Sequence, residues 1–152
     1  MYKQPVSKNC FVCGRENPFG LKLDFYFDGK DTVTAEVNIP ESYEGYPGVV
    51  HGGVITAILD ECAGRAHMID PNKFMVTAQL NVRFRKPVPT HTLLTVKGVA
   101  GERHGRVAMA HGEILDKSGE ILAEADGVFV DIPENKLPSK DDYLKDWHVY
   151  PD

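Results

Sequence analysis

The fold of this 152-residue chain is decided by residues 51–60, which read HGGVITAILD. Two glycines stand where a helix begins, and Asp60 follows two turns later. No Ser, Thr, Asp or Asn occupies the usual N-cap position, so we expect the first-turn N–H groups near Gly53 to be uncapped. Free amides at the positive end of a helix stabilise a carbonyl oxygen that gains negative charge. The stretch therefore suggests acyl-transfer or hydrolytic chemistry; the alternative is a glycine turn before an ordinary core helix.

Hydrophobic spacing predicts one helix over residues 53–67 that packs under a sheet. At about 100° per residue, one side of this helix carries the apolar residues Ile55, Ile58, Leu59, Cys62 and Ala66. The other side carries small residues and one acid: Gly53, Ala57, Asp60 and Gly64. Apolar neighbours would desolvate the Asp60 carboxylate and raise its pKa, unless that side faces open solvent. Glu61 and Arg65 are four residues apart at the border between the two sides and are expected to form a routine ion pair of little energetic weight.

Alternating residues predict six strands, over 21–27, 32–39, 74–86, 92–101, 104–116 and 120–132, separated by glycine and proline turns. A short helix near 140–146 would take Ser139 as its N-cap. The order of strand, strand, helix and four strands favours an α+β fold with one antiparallel sheet over a doubly wound sheet. We expect a single domain over residues 1–152, with a loop-rich lead-in over 1–19 and a tail over 133–152.

The strand after the helix alternates strictly and carries two faces. The face expected on the helix is Val76, Ala78, Leu80, Val82 and Phe84. The opposite face, Thr77, Gln79, Asn81, Arg83 and Arg85, would be solvent-exposed or would line a subunit interface or a substrate groove. Its arginines, with Lys86, Arg103 and Arg106, suggest contacts to phosphate groups, and scattered surface charge is the alternative.

Composition excludes several classes of function. A formal net charge of −5 and a pI near 5.7 argue against nucleic-acid or membrane-surface binding. No apolar run reaches membrane-spanning length, and the N-terminus is unlike a signal peptide. Three cysteines, an odd number, point to a reducing compartment, and we expect a cytoplasmic protein.

Cys10 and Cys13 form a CxxC motif without a second pair. A closed zinc site needs four ligands, so we expect no metal and a compact knuckle of thiols instead. A redox dithiol is less favoured, because no thioredoxin-like βαβ context follows the motif. Cys62 is expected to be a small hydrophobic residue of the core.

The spacing of the helix motif favours a dimer. Asp60 lies about 10 Å along the helix from Gly53, and one carbonyl group cannot contact both ends of that span. Two antiparallel helices related by a two-fold axis would bring Gly53 of one subunit to Asp60 of the other. If the site is real, it is therefore shared between subunits.

These segments resemble the hotdog-fold acyl-CoA thioesterases, in particular the PaaI-like, phenylacetate-pathway type of the 4-hydroxybenzoyl-CoA thioesterase-like superfamily. The resemblance rests on PGVVHGG over residues 47–53, on Asp60, and on TAQLNVRFRKP over residues 77–87. It implies a sheet wrapped around a central helix at about 53–67, assembled as dimers or tetramers. The CoA would be part of the substrate, with no cofactor and no metal.

The resemblance also implies roles for individual residues. Gly53 N–H would polarise the thioester carbonyl, Asp60 would act as general base or nucleophile, and Thr77 would assist the acid. His51 belongs to the same signature; the expected substrate-binding residues are Gly52, Val54, Asn81, Arg83 and Arg85. The alternatives are a hotdog enoyl-CoA hydratase or dehydratase that uses His51, and an acyl-ligand-binding module without turnover.

Overall fold

The computed structural model describes residues 1–137 and 139–152, and these form eleven strands and two α-helices. The elements in chain order are β1 (Tyr2–Lys3), β2 (Val6–Ser7), β3 (Tyr26–Phe27), β4 (Thr32–Asn38), β5 (Glu44–Tyr46), β6 (Val49–Val50), α1 (Gly52–Arg65), β7 (Met75–Phe84), β8 (Leu93–His104), β9 (Val107–Leu115), β10 (Ile121–Asp131), α2 (Lys140–Lys145) and β11 (Trp147–His148). Two short 3₁₀ helices, Glu41–Tyr43 and Glu134–Lys136, lie between them.

One large antiparallel sheet surrounds α1. Across the described residues it contains seven strands in the order β1-β3-β4-β8-β9-β10-β7. The helix packs on its concave side against β4, β8, β9, β10 and β7. This confirms the predicted α+β architecture with one sheet around a central helix.

The two sides of α1 differ in burial as the sequence predicts. All five residues of the apolar side, Ile55, Ile58, Leu59, Cys62 and Ala66, are at most 3% exposed. Along the small-residue side, Gly53 is exposed and Asp60 and Gly64 are half-buried. The helix ends at Arg65, two residues before the predicted boundary.

Gly98 of β8 lets the helix and the sheet approach closely. A Cβ atom at this position would lie 2.2 Å from the carbonyl oxygen of Cys62 and 2.9 Å from Cγ1 of Val33. The first of these is a backbone atom of α1, which no side-chain rotation can move away. The contact between α1 and β8 therefore requires a residue without a side chain.

We expect Gly98→Ala to destabilise the fold by about 2–3 kcal/mol, because the helix must shift away from the sheet. Urea unfolding followed by circular dichroism measures this loss. The matched control is Gly45→Ala, where a new Cβ atom meets its nearest neighbour at an ordinary 3.4 Å. Equal stability of the two variants would contradict the close packing.

The prediction of which side chains in the strand over 74–86 face the helix is wrong for the first half of that strand. Along β10, Val128 pairs with Gln79 while Phe129 pairs with Thr77, so Ala78 is an extra residue in β7. Such a bulge reverses the alternation of side chains on one side of it. Thr77 therefore faces the helix, while Val76 is 52% exposed and Ala78 is also exposed.

The second half of this strand follows the prediction. Leu80 and Val82 pack against the core, and Phe84 lies near the start of α1 although it is 57% exposed. Gln79 and Asn81 are exposed.

The lead-in and the tail are joined to each other. In the second, two-stranded sheet, β2 pairs with β11, with Trp147 opposite Ser7. The predicted N-cap of α2 is confirmed, because Ser139 Oγ accepts a hydrogen bond from Asp142 N–H. Of the predicted strand over 21–27 only Tyr26–Phe27 is extended in the sheet. No helix within 1–137 and 139–152 is both long and apolar enough to cross a membrane.

Candidate active site

Asp60 and Thr77 form the centre of the site. Asp60 points from the small-residue side of α1 towards β7, and the Thr77 hydroxyl donates a 2.6 Å hydrogen bond to its Oδ1. The bulge at Ala78 creates this contact, since an uninterrupted strand would turn Thr77 away. One carboxylate oxygen is thus held by the strand, and Oδ2 is left for another partner.

The environment of Asp60 favours its neutral form more than water does. Burial raises the pKa of this carboxyl above its ordinary value, and the negative charge of Glu61 raises it further. The hydrogen bond from Thr77 acts in the opposite direction, because it stabilises the charged form. The direction of this pKa shift agrees with the sequence-based expectation, and a carboxylate of raised pKa is a stronger base.

Asp60 and Thr77 line a cleft of about 820 Å³, which we call the Asp60 cleft. Its walls include Cys10, Cys13 and the aromatic residues Phe74 and Trp147. Phe74 packs edge-on against Trp147, with ring centroids 5.6 Å apart. The cleft therefore combines the Asp60 carboxylate and further charged groups with apolar side chains, as pockets for small molecules commonly combine polar and apolar groups.

The predicted uncapped start of the helix is wrong. His51 is the N-cap of α1, and its Nδ1 accepts a 2.9 Å hydrogen bond from Gly53 N–H. Because Nδ1 accepts this bond, it carries no proton while the cap is in place. His51 is not among the residue types that commonly cap helices, which is why the expectation failed. Its side chain is exposed and borders Gly53 from the solvent side.

His51 and Gly52 line a second cleft of about 540 Å³, the His51 cleft, together with Tyr46 and Phe84. No residue lines both clefts. The beginning of α1 and the acid in its third turn therefore open on different parts of the surface. A single chain does not bring the predicted amide donor and the predicted acid to one reacting atom.

Three of the cations predicted to bind phosphate, Arg83, Arg85 and Arg103, are paired with acids of the sheet. Arg85 Nε donates a 3.0 Å bond to Glu124, and Arg83 lies 3.6 Å from the same carboxylate. Arg103 forms a two-pronged pair with Asp131, at 2.8 and 3.1 Å. Arg83 and Arg85 are half-exposed, so they are accessible to a ligand that competes with these acids. Phosphate binding by them stays a prediction, as does a substrate contact by the half-buried Val54, which packs against the core.

The expected ion pair of Glu61 and Arg65 is present, but its arginine is buried rather than part of a routine pair at the border of the helix. Arg65 is only 2% exposed, and its Nε donates a 2.8 Å bond to Glu61. The guanidinium also donates to Pro5 O at 3.0 Å and stacks on the ring of Phe25 at 4.6 Å. Arg65 thus joins the lead-in to α1, a role that its four-residue spacing from Glu61 does not reveal.

Three potential metal ligands meet beside this arginine. The sulfur atoms of Cys10 and Cys13 and a carboxylate oxygen of Glu61 lie within 4.8 Å of one another. Arg65 Nη2 donates to Cys13 Sγ at 3.1 Å, so a cation already neighbours the group. Sequence reasoning treated the CxxC motif and the helix separately, because 48 residues separate Cys13 from Glu61.

Comparisons with known proteins identify the family. Residues 47–123, half of the chain, match the family model described as "Thioesterase superfamily". Acyl-coenzyme A thioesterase THEM4 of Bos taurus is 28% identical over 132 residues, which cover 83% of this chain and 52% of that protein. The chain spans about half the length of the named relatives that it matches.

Solved structures share the fold. The crystal structure of protein RHA08564, a thioesterase superfamily protein, superposes with a TM-score of 0.74 at 32% identity, covering 81% of this chain and 63% of that one. The structure of smu.793 from Streptococcus mutans UA159 bound to acetyl CoA gives 0.66 at 17% identity, with 72% and 88% covered. The helix surrounded by one antiparallel sheet is the hotdog fold; the PaaI-like subtype stays a prediction. By its matching family model and its fold, this chain belongs to the thioesterase superfamily.

Proposed function

We propose that this protein hydrolyses an acyl-CoA thioester to the free acid and CoA, and that Asp60 carries the reaction. The observation that supports the proposal most is the half-buried Asp60 carboxylate, oriented by Thr77 in a cleft that also contains apolar side chains. The family match and the similarity to THEM4 point to the same chemistry. The reaction needs water as its only other reactant, so we propose that it uses no cofactor.

Asp60 supplies the proton acceptor or the nucleophile. Thr77 occupies Oδ1, and Oδ2 takes a proton from the attacking water or attacks the thioester carbonyl directly. In the first case, the hydroxide that forms adds to the carbonyl carbon, the carbon–sulfur bond breaks, and the CoA thiolate leaves and takes up the proton from Asp60. In the second case, the same bond breaks as an anhydride forms on Asp60, the CoA thiolate leaves, and water then hydrolyses the anhydride to the free acid. Desolvation by the cleft makes the carboxylate more basic than a surface aspartate.

Gly53 N–H is proposed as the donor to the carbonyl oxygen in the transition state. This role requires His51 Nδ1 to release the amide, and the exposed position of the imidazole allows it to rotate away. The amide then faces the substrate at the positive end of α1, where negative charge is stabilised. His51 is thus a positioning residue that protects the donor until the substrate arrives.

We further propose a two-fold dimer that joins Gly53 of one subunit to Asp60 of the other. Asp60 lines one cleft, whereas His51 and Gly52, the neighbours of Gly53, line the other, and about 10 Å of helix lies between Gly53 and Asp60. In the described chain, β7 is an edge strand of the sheet, and it exposes Val76 and Phe84. An exposed edge with apolar side chains is suited to pairing with a second copy.

Mixing two inactive variants tests the shared site. Gly53→Pro removes the amide N–H in the first turn, where that N–H makes no hydrogen bond within the helix, and Asp60→Asn removes the base. Each variant alone is expected to be inactive, whereas hybrid dimers contain one intact site. A statistical mixture should recover about a quarter of the wild-type activity. Gly53→Ala keeps the amide N–H and is the control. A mixture of Gly53→Pro and Asp60→Asn that stays inactive contradicts the shared site.

The pH profile reports the state of Asp60. Hydrolysis needs the carboxylate, so activity is expected to fall as the pH falls through the pKa of Asp60. Because burial raises that pKa, the loss should begin at a higher pH than for an ordinary aspartate. Thr77→Val removes the bond that lowers the pKa and should move the acid limb to still higher pH.

Thr77→Ser keeps the hydroxyl and should leave the acid limb unchanged, which separates the hydrogen bond from a packing effect. Rates of CoA release measured between acid and neutral pH give both profiles. An acid limb that is identical in Thr77→Val and the wild type would show that the hydrogen bond does not act on Asp60.

A panel of acyl-CoA substrates tests the reaction itself. Short, long and aromatic acyl-CoA thioesters are supplied to the purified protein, and release of the free thiol is followed with a chromogenic disulfide. The smu.793 structure contains acetyl CoA, which makes this the first member of the panel. Hydration of a trans-2-enoyl-CoA without thiol release would indicate a hydratase, and tight binding without turnover would indicate a binding module. Either result would contradict the proposed hydrolase.

A further inference from the structure

Cys10, Cys13 and Gly14 close a tight knuckle in the wall of the Asp60 cleft. Cys13 N–H lies 3.4 Å from Cys10 Sγ and donates to it, and Gly14 N–H donates to Cys10 O at 2.9 Å. A Cβ atom on Gly14 would lie 2.5 Å from backbone atoms of Cys10, so only glycine permits this closure. The knuckle places the two sulfur atoms within 4.8 Å of each other.

The two thiols have different surroundings. Cys10 is partly exposed in the cleft, and its S–H donates to Glu61 Oε2 at 3.7 Å. Cys13 is 1% exposed, and its sulfur accepts a 3.1 Å bond from the buried guanidinium of Arg65. Cys10 is therefore partly exposed beside the Glu61 carboxylate, whereas Cys13 is buried beside the Arg65 guanidinium.

The ionisation of the pair follows from this arrangement. The interaction with the Cys13 side chain lowers the pKa of Cys10, with smaller help from the backbone N–H groups of Cys13 and Val12, and it outweighs burial and the negative charge of Glu61, which raise that pKa. The interaction with Cys10 and burial raise the pKa of Cys13. Reactive cysteines are those with a thiolate in a partly exposed position, so Cys10 is the nucleophile of the pair.

We propose that Cys10 and Cys13 are a redox-active dithiol that undergoes exchange with low-molecular-weight disulfides. Cys10 thiolate attacks one sulfur of the small disulfide, a mixed disulfide forms, and the first small thiolate leaves. Cys13 then loses its proton and attacks Cys10 Sγ, which forms the Cys10–Cys13 bond and expels the second thiolate. The protein gives up two electrons and two protons, and the small disulfide is reduced to two thiols.

The arrangement favours exchange over a metal site. Within the described residues the cluster offers three ligand atoms, one fewer than a closed tetrahedral site requires. The Arg65 guanidinium lies 3.1 Å from Cys13 Sγ and supplies the positive charge that a metal ion would bring. That cation instead stabilises the Cys13 thiolate while it attacks.

The test uses the reduced protein, residues 1–152, and glutathione disulfide, with intact mass spectrometry as the readout. The wild type should lose the mass of two hydrogens and recover it with dithiothreitol. Cys13→Ser should stop at the mixed disulfide and carry one glutathione on Cys10. Cys10→Ser should show neither the loss of two hydrogens nor an added glutathione. Cys62→Ser is the matched control, since Cys62 is buried at 0% exposure in the core, and it should behave as the wild type.

Alkylation of the unmodified wild type supplies a measurement that needs no variant. Iodoacetamide at neutral pH should label Cys10 at least about tenfold faster than Cys62 in the native protein. Equal labelling of the two, absence of both mass changes in the wild type, or stoichiometric zinc that is lost in Cys10→Ser would each overturn the proposal. None of these readouts depends on acyl-CoA turnover, so they are separate from the test of the proposed function.

Discussion

Asp60→Asn is expected to reduce acyl-CoA hydrolysis on the order of 10³-fold while the fold and the oligomer stay intact. Asparagine has the shape of aspartate and still accepts the Thr77 hydrogen bond through its amide oxygen. It can neither take a proton from water nor attack a thioester. The variant therefore removes the chemistry and leaves the geometry, and the loss should appear in kcat rather than in KM.

Glu36→Gln is the control for this substitution, because it removes one carboxylate from an exposed position of β4 without touching the cleft. It should retain wild-type turnover. Size-exclusion chromatography and thermal unfolding should give the same oligomer and Tm for both variants. An Asp60→Asn protein with full activity would rule out the mechanism, whatever acyl chain is used.

The architecture was predictable because it depends on periodic patterns. The apolar side of α1 and the long strands from β7 to β10 follow hydrophobic periodicities that extend over many residues. Glycine and proline turns mark where these elements end. The same patterns predicted that Asp60 would be half-buried, since it sits among apolar neighbours on the less covered side of the helix.

The contact between Thr77 and Asp60 could not be derived from the alternation of residues. Strict alternation turns Thr77 away from the helix, and only the extra residue at Ala78 reverses it. A bulge depends on how β7 pairs with β10, which is a long-range property. The resemblance to the thioesterases named Thr77 correctly as a neighbour of the acid, although the pattern in this strand pointed the other way.

The start of the helix shows a different limit of sequence reasoning. Histidine caps a helix only when its ring turns back to the first-turn amides, and that rotamer is set by the surrounding loop. The cap of Gly53 N–H by His51 Nδ1 therefore depends on tertiary structure. In the mechanism that we propose, His51 therefore has to release the Gly53 amide when the substrate binds.

Arg65→Leu is expected to lower the free energy of unfolding by about 3 kcal/mol and the Tm by about 10 °C. Leucine fills much of the apolar volume beside Phe25 but leaves Glu61 and the carbonyl of Pro5 without their donor. Removing one partner from a buried network costs more than removing an exposed pair, because the remaining groups stay desolvated.

Arg103→Leu is the matched control, because it breaks an arginine–carboxylate pair with the same shortest distance, 2.8 Å, whose arginine side chain is 36% exposed. We expect that loss to be within about 1 kcal/mol, since water can replace the lost bonds. Urea unfolding of the two variants gives the comparison directly. Equal losses would contradict the view that Arg65 fastens the lead-in to α1. A large loss confined to Arg65→Leu would mean that the knuckle of Cys10 and Cys13 is held against the helix by a single buried cation.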